Sequence, residues 1–372
     1  MGSGRGLGPD PLREDGAQRR RPVGDPALTG RPRVAVLFSG GTISMRRDDA
    51  AGGAVPALDG AAILARAPRA AAAAELVPRD LGRQPASWFD FGDLFRLRAA
   101  IDEALADPAV AGVVLVQGTD TIEESAFFLD LLHADERPLV VTGAMRDASQ
   151  PADDGPANLR DAVVAAASPA LRGGGCVVVL AGSVEPADDV TKTHATARDT
   201  FRSRNLGRLG RLVEGAVVME RGRGPRRQVA ATRVAEPIAL VTVVVGSRGE
   251  AIEQAVTSGA RGIVVEATGT GNTHPAVLAA AERAMAGGIP IVLTTRCPAG
   301  RVGAAYAFPG GGATWIRAGA LPAGFLGGPK ARIALALGLG AGLDRASLAA
   351  LLAGPRQVEA AEADDGDGAA SA

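Results

Sequence analysis

The sequence predicts an α/β protein built on a parallel sheet. Short Val-, Leu- and Ile-rich runs alternate with longer Ala-rich stretches of helical character. The runs are continuously apolar, as expected of strands that crossover helices bury on both faces. At 372 residues the chain is too long for one ordinary domain and about right for two, each able to bury a core of its own.

Taken in order, residues 1–32 are rich in Gly, Pro and Arg, lack a signal-peptide core, and read as a disordered arm. The cluster Arg19, Arg20 and Arg21 within it reads as a solvated tail, with RNA or lipid contact as the alternative. Residues 33–221 form the expected N-terminal α/β domain. Its strands are expected at Val34–Phe38, Gly112–Val116, Leu139–Thr142 and Cys176–Leu180, with helices at Leu94–Ala106, Ile122–His133 and Ala157–Ala167. Around Arg221–Arg233 the pattern collapses into RGRGPRRQVAATR, so residues 222–236 are read as a linker. A C-terminal α/β domain, 237–356, follows on a smaller scale. Its strands are expected at Ile238–Val244, Gly262–Glu266 and Ile289–Thr294, with helices from about Pro275, near Ala331–Leu337 and at Arg345–Leu352. Residues 357–372 read as an acidic disordered tail.

Composition narrows the chemistry. The 40 basic and 41 acidic residues nearly cancel, so no global field recruits nucleic acid or an anionic membrane. A small, roughly neutral substrate suits that balance. No apolar run is long enough to span a bilayer. Cys176 and Cys297 lack metal-ligand spacing and read as reduced, inert thiols of a cytosolic protein. His133, His194 and His274 include no pair at zinc-site spacing, so no metal is expected.

In open α/β sheets ligands bind beyond the carboxyl ends of strands, and three polar runs sit there. Ser39-Gly40-Gly41-Thr42-Ile43 follows the first strand: its glycines permit a tight turn with exposed N–H groups, and Thr42 offers a hydroxyl. A purely structural turn is the competing reading, and neither a dinucleotide fingerprint nor a phosphate-loop spacing is present. Gln117-Gly118-Thr119-Asp120-Thr121 sets a hydroxyl beside a carboxylate, although helix capping would explain the acids too. In Asp188-Asp189-Val190-Thr191-Lys192-Thr193-His194, Lys192 is able to hold or deliver a proton if a closed site surrounds it. No GxSxG elbow supports a serine triad.

Together, SGGTIS, QGTDTIEES, TGAMR with DDGPANL, DVTKTHATARDTF with SRNLGRLG, and GTGN with RCPAGRV resemble the ordered blocks of bacterial-type L-asparaginases, from about Val34 to Gly354. The resemblance implies a large N-terminal and a smaller C-terminal α/β domain. It also implies active sites completed across an intimate subunit pair, usually as a dimer of such dimers in a homotetramer. By motif position, Thr42 would be the nucleophile, with Thr119, Asp120 and Lys192 as the second catalytic group. Ser87 would grip the substrate's α-carboxylate, Asp120 its α-ammonium, and Ala144 a backbone contact. Gly41, Gly118 and Asn272 complete the implied substrate-binding set. The implied reaction is hydrolysis of L-asparagine to L-aspartate and ammonia through a threonyl acyl-enzyme, with no cofactor and in the cytoplasm. Broader glutaminase-asparaginase activity, or silent amino-acid binding on the same fold, are the alternatives.

Three departures stand out. The family's activating Tyr on a loop after the GGTI block is missing, since residues 44–69 hold no Tyr. Tyr306 is the chain's one Tyr and is read as its substitute, with a partly buried core aromatic as the alternative. Trp88 stands where relatives carry a Gln, and His274 stands near Asn272 where they often place a second Asn. Both leave the choice among asparagine, glutamine and their D-forms open.

Overall fold

The computed structural model describes residues 1–2 and 30–354. Nearly all of the expected arm, with its arginine cluster, and the expected acidic tail lie outside the described residues. The elements below all belong to the unit Pro32–Ala372.

Strand β1 (Arg33–Phe38) opens the fold and is buried from Val34 onward. A hairpin of β2 (Met45–Asp48) and β3 (Gly53–Pro56) follows, then α1 (Gly60–Arg66), α2 (Pro68–Ala73) and β4 (Glu75–Asp80). Next come α3 (Phe91–Leu105), β5 (Val110–Val116), α4 (Ile122–Leu132), β6 (Leu139–Thr142), α5 (Gly155–Ala166) and β7 (Cys176–Leu180). Helix α3 starts where Asp90 and Asp93 form a reciprocal capping box, which satisfies two otherwise orphaned N–H groups. Strands β4, β1, β5, β6 and β7 lie side by side and parallel, as the continuous apolar character of β1, β5, β6 and β7 predicts, while β4 is a mostly exposed edge strand.

Beyond β7 the sheet turns antiparallel. Only Ala181 and Gly182 separate β7 from β8 (Ser183–Pro186), and a parallel crossover needs a dozen residues or more. After β9 (Val190–Lys192) and β10 (Phe201–Ser203), which pair only with each other, β11 (Gly210–Val213) and β12 (Ala216–Met219) complete the edge. The eight-stranded order is β12-β11-β8-β7-β6-β5-β1-β4. The expected parallel sheet is therefore parallel from β4 to β7 and antiparallel at the other edge. The short two-faced strands of that edge carry too little apolar signal to stand out in sequence.

The second sheet is smaller and fully parallel. It is built from β13 (Ile238–Thr242), α6 (Glu250–Thr257), β14 (Gly262–Ala267), α7 (Pro275–Ala286), β15 (Ile291–Thr295), α8 (Gly312–Ala318) and β16 (Leu321–Pro322). Helices α9 (Gly328–Gly340) and α10 (Arg345–Ala353) close the fold. Leu335 and Leu337 of α9 share one continuous buried cluster with Phe127 and Phe128 of α4, so the two sheets are joined by apolar packing as well as by the chain.

The arginine-rich stretch between the sheets is pinned in place. Arg223 is buried and donates to Asp130 of α4 at 2.6 Å, to Asp188 at 3.2 Å and to the Cys176 carbonyl at 2.8 Å, while Arg226 adds a second bridge to Asp130. A buried guanidinium is tolerated when carboxylates and carbonyls occupy its terminal donors in this way, although the Arg223 Nε finds no hydrogen-bond partner among the described residues. Among the described residues no helix is long and apolar enough to cross a membrane.

Candidate active site

Two glycine turns meet at the carboxyl ends of the neighbouring strands β1 and β5. Gly41 has φ +92°, and a Cβ there would lie 2.2 Å from the Gly118 nitrogen, so only glycine permits both the conformation and the approach. A Cβ on Gly118 would come within 2.8 Å of Ala86 Cβ, which brings a third segment, Ala86–Trp88, against the same point. The Thr121 hydroxyl ties that segment down by donating to the Ala86 carbonyl at 3.1 Å. The turns therefore bring Thr42 and Thr119, each directly following one of the touching glycines, to the same end of the sheet.

Thr42 is half-buried and begins a single 3-10 turn, Thr42–Ser44, closed by the Ser44 hydroxyl donating to the Gly41 carbonyl at 2.7 Å. Thr119 is buried. Lys192 reaches it from β9: the ammonium donates to Thr119 Oγ1 at 3.0 Å and to Asp120 Oδ1 at 2.9 Å. Because the ammonium is a donor only, it occupies an acceptor site of Thr119 and leaves the threonine proton to point elsewhere. The lysine side chain is 17% exposed and its carboxylate partner 66%, so the pair faces solvent through Asp120.

The turn after β6 closes one side. Ala144 is fully buried, and Gly143 packs so tightly against the Gln117 carbonyl that a Cβ would sit 2.5 Å from it. Asp154 accepts from the Met145 and Arg146 amides, and Asn158 donates to the Gly143 carbonyl at 3.0 Å. Asp154 and Asn158 were quoted in sequence only as part of DDGPANL, without a role. Glu123, which the sequence places in QGTDTIEES as an acid suited to a helix start, also accepts the Lys192 backbone N–H at its Oε2 at 3.0 Å. Their hydrogen-bonding work depends on residues far away in sequence, and only the presence of polar groups inside a recurring block signalled it.

Ser87 lies exposed on the Ala86–Trp88 turn beside Trp88, which is 72% exposed. Asn272 and Tyr306 belong to the second sheet's loops. The Asn272 Oδ1 is buried and finds no hydrogen-bond partner among the described residues. Tyr306 is 49% exposed, its ring 5.7 Å from that of Phe308, so it is not the partly buried core aromatic entertained as the alternative. Neither residue makes a hydrogen bond or ring contact to the Thr42 cluster within the chain. The β2–β3 hairpin that follows the Thr42 turn carries exposed Arg46 and Arg47, anchored by the Ala148 amide on the Met45 carbonyl at 3.0 Å.

A polar cleft of about 220 Å³ opens between the two sheets, lined by Glu123, Asp188, Thr191, Arg204, Glu266 and Lys330 among others. It does not include Thr42. Among the described residues no group of three or more His, Cys, Asp or Glu side chains is placed to hold a metal ion.

Comparison with known proteins matches residues 33–223 to the family model described as "Asparaginase, N-terminal" and residues 237–352 to "Glutaminase/Asparaginase C-terminal domain". The chain belongs to the asparaginase family. A probable L-asparaginase of Deinococcus radiodurans is 35% identical over 327 residues, covering 84% of this chain and 95% of that one. An L-asparaginase of Bacillus licheniformis is 32% identical over 312 residues, covering 82% and 94%. Among solved structures, a probable cytoplasmic L-asparaginase from Campylobacter jejuni superposes with a TM-score of 0.77 at 26% identity, covering 87% of this chain and 99% of that chain. Both sheets of this asparaginase-family chain thus lie inside the matched region, and so does every candidate site residue.

Proposed function

We propose that the chain hydrolyses L-asparagine to L-aspartate and ammonia, with Thr42 as the nucleophile. The observation that carries this reading is the Lys192–Thr119–Asp120 cluster, set beside Thr42 by the Gly41–Gly118 contact at the ends of adjacent strands. Thr42 Oγ attacks the side-chain amide carbon, the C–N bond breaks, and the departing nitrogen takes up the hydroxyl proton as ammonia leaves, giving a β-aspartyl ester. Water then attacks the ester carbon and returns a proton to Thr42 Oγ. The backbone N–H groups of the two glycine turns suit the oxyanion of both steps.

A threonine hydroxyl is a weak nucleophile until a neighbour takes its proton. Lys192 and Asp120 hold Thr119 as the relay for the water step. For the first step a second copy of the chain would bring Tyr306 and Asn272 to the site as part of a homo-oligomer. Ser87 and Asp120 would bind the α-carboxylate and α-ammonium, with Gly41, Gly118 and Ala144 lining the pocket. No cofactor enters the reaction, and the same reading takes the enzyme to be cytoplasmic.

Ammonia release from L-asparagine, L-glutamine and D-asparagine by wild type and Thr42→Ala tests this. L-asparagine is expected to be the best substrate, and Thr42→Ala to lose at least about 1,000-fold in kcat. No release from any substrate would overturn the activity. Undiminished turnover by Thr42→Ala would overturn the nucleophile alone. EDTA is expected to leave the rate unchanged.

A further inference from the structure

The lysine of the candidate site rides on a strand with little support of its own. Strand β9 is three residues long and among the described residues pairs only with β10, and an isolated two-stranded ribbon is marginal by itself. Yet Lys192 must hold its ammonium on Thr119 and Asp120 together. Two side chains from outside the ribbon grip its backbone. Glu123 of α4 accepts the Lys192 N–H, and Lys330 of α9 donates to the Val190 carbonyl at 2.5 Å.

Lys330 occupies an expensive position. It is 5% exposed and lies in the first turn of α9, where the positive end of the helix opposes a cation. Burial lowers its pKa to about 8, while Glu123, Asp188 and Asp189 oppose that fall and Arg223 adds to it. Glu266 of β14 packs against Gly328 at the start of the same helix. The ammonium also stands 5.8 Å from the ring centroid of Phe127, in the helix that continues from the Thr119 turn. A methionine would fill this space without the desolvation cost, but it would leave the Val190 carbonyl without this donor.

We propose that Lys330 is a positioning residue for catalysis: by fixing the Val190 carbonyl from the second sheet's domain, it holds β9 so that Lys192 meets Thr119 and Asp120. This rests on the catalytic reading of Lys192 given above. It makes the C-terminal helix α9 part of the machinery of the N-terminal site within one chain.

The test compares full-length wild type, Lys330→Met, Lys330→Gln and Lys192→Met for kcat and KM on L-asparagine, together with amide exchange over residues 190–193. Lys330→Met is expected to lose roughly 10- to 100-fold in kcat with KM within about twofold, because small misplacements of a catalytic group carry such penalties. Exchange over β9 should rise. Lys330→Gln, which keeps a donor without charge, should recover part of the loss. If Lys192→Met is inactive while folded Lys330→Met retains wild-type kcat, the positioning role is overturned and the Lys192 reading stands. Full activity in Lys192→Met removes the reading beneath it. Failure of both neutral Lys330 variants to fold would make the residue a requirement of stability and also overturn the proposal.

Discussion

At the scale of single residues, the candidate site depends on two glycines as much as on its hydroxyls. Gly41 combines a φ of +92° with backbone contact to Gly118, so Gly41→Ala adds both left-handed strain and a clash that no side-chain rotation relieves. It is expected to lower kcat about 100-fold or more by moving Thr42, and ammonia release with circular dichroism as a folding control would check this. Wild-type turnover in that variant would contradict the geometry. The residues of the site were legible where a block placed a hydroxyl, a carboxylate or an amine directly after an apolar run. Thr42, Thr119 and Asp120 were visible in this way. Glu123, Asp154 and Asn158 were not, because each acts on a backbone group brought near by folding.

Elements show the same division. The continuously apolar strands β1, β5, β6 and β7 declare themselves, because a strand covered by helices on both sides must be apolar throughout. The hairpin β2–β3 and the strands β8 to β12 do not, since exposed positions interrupt most of them. One element carries a pH dependence. His133 caps the end of α4, and burial lowers its pKa below the ordinary value, its Nε2 resting 2.9 Å from the Arg137 carbonyl. The unfolded chain therefore binds the proton first as pH falls. Stability is fully present above the ordinary histidine value of about 6.5 and declines as pH drops through the lower folded value. Thermal unfolding from pH 7.5 to 5 should show Tm falling in that window, with a shallower fall in His133→Gln. Equal slopes would remove His133 as the cause.

For the whole molecule, the issue is what completes the site. Tyr306 and Asn272 stand on the second sheet's loops without a hydrogen bond or ring contact to Thr42, and the buried Asn272 Oδ1 finds no partner among the described residues. If a second copy supplies Tyr306, Tyr306→Phe should slow the release of ammonia in a single turnover by at least about tenfold. Wild-type specific activity should also fall on dilution in step with dissociation measured by sedimentation. An unchanged acylation rate in Tyr306→Phe would return the activation of Thr42 to groups within one chain.

The sequence by itself determined the α/β class, the break between the two sheets and the places where chemistry could sit, because burial on both faces and turns at strand ends write themselves into local composition. Tertiary structure alone decided that the Gly41 and Gly118 turns touch, that Arg223 is buried as a clamp within the stretch read as a linker, and that Lys330 grips the strand bearing Lys192 from 138 residues further along the chain. Those facts depend on which distant surfaces pack together. Hydrogen-bond partners and the cost of burying a charge are settled only when that packing excludes water.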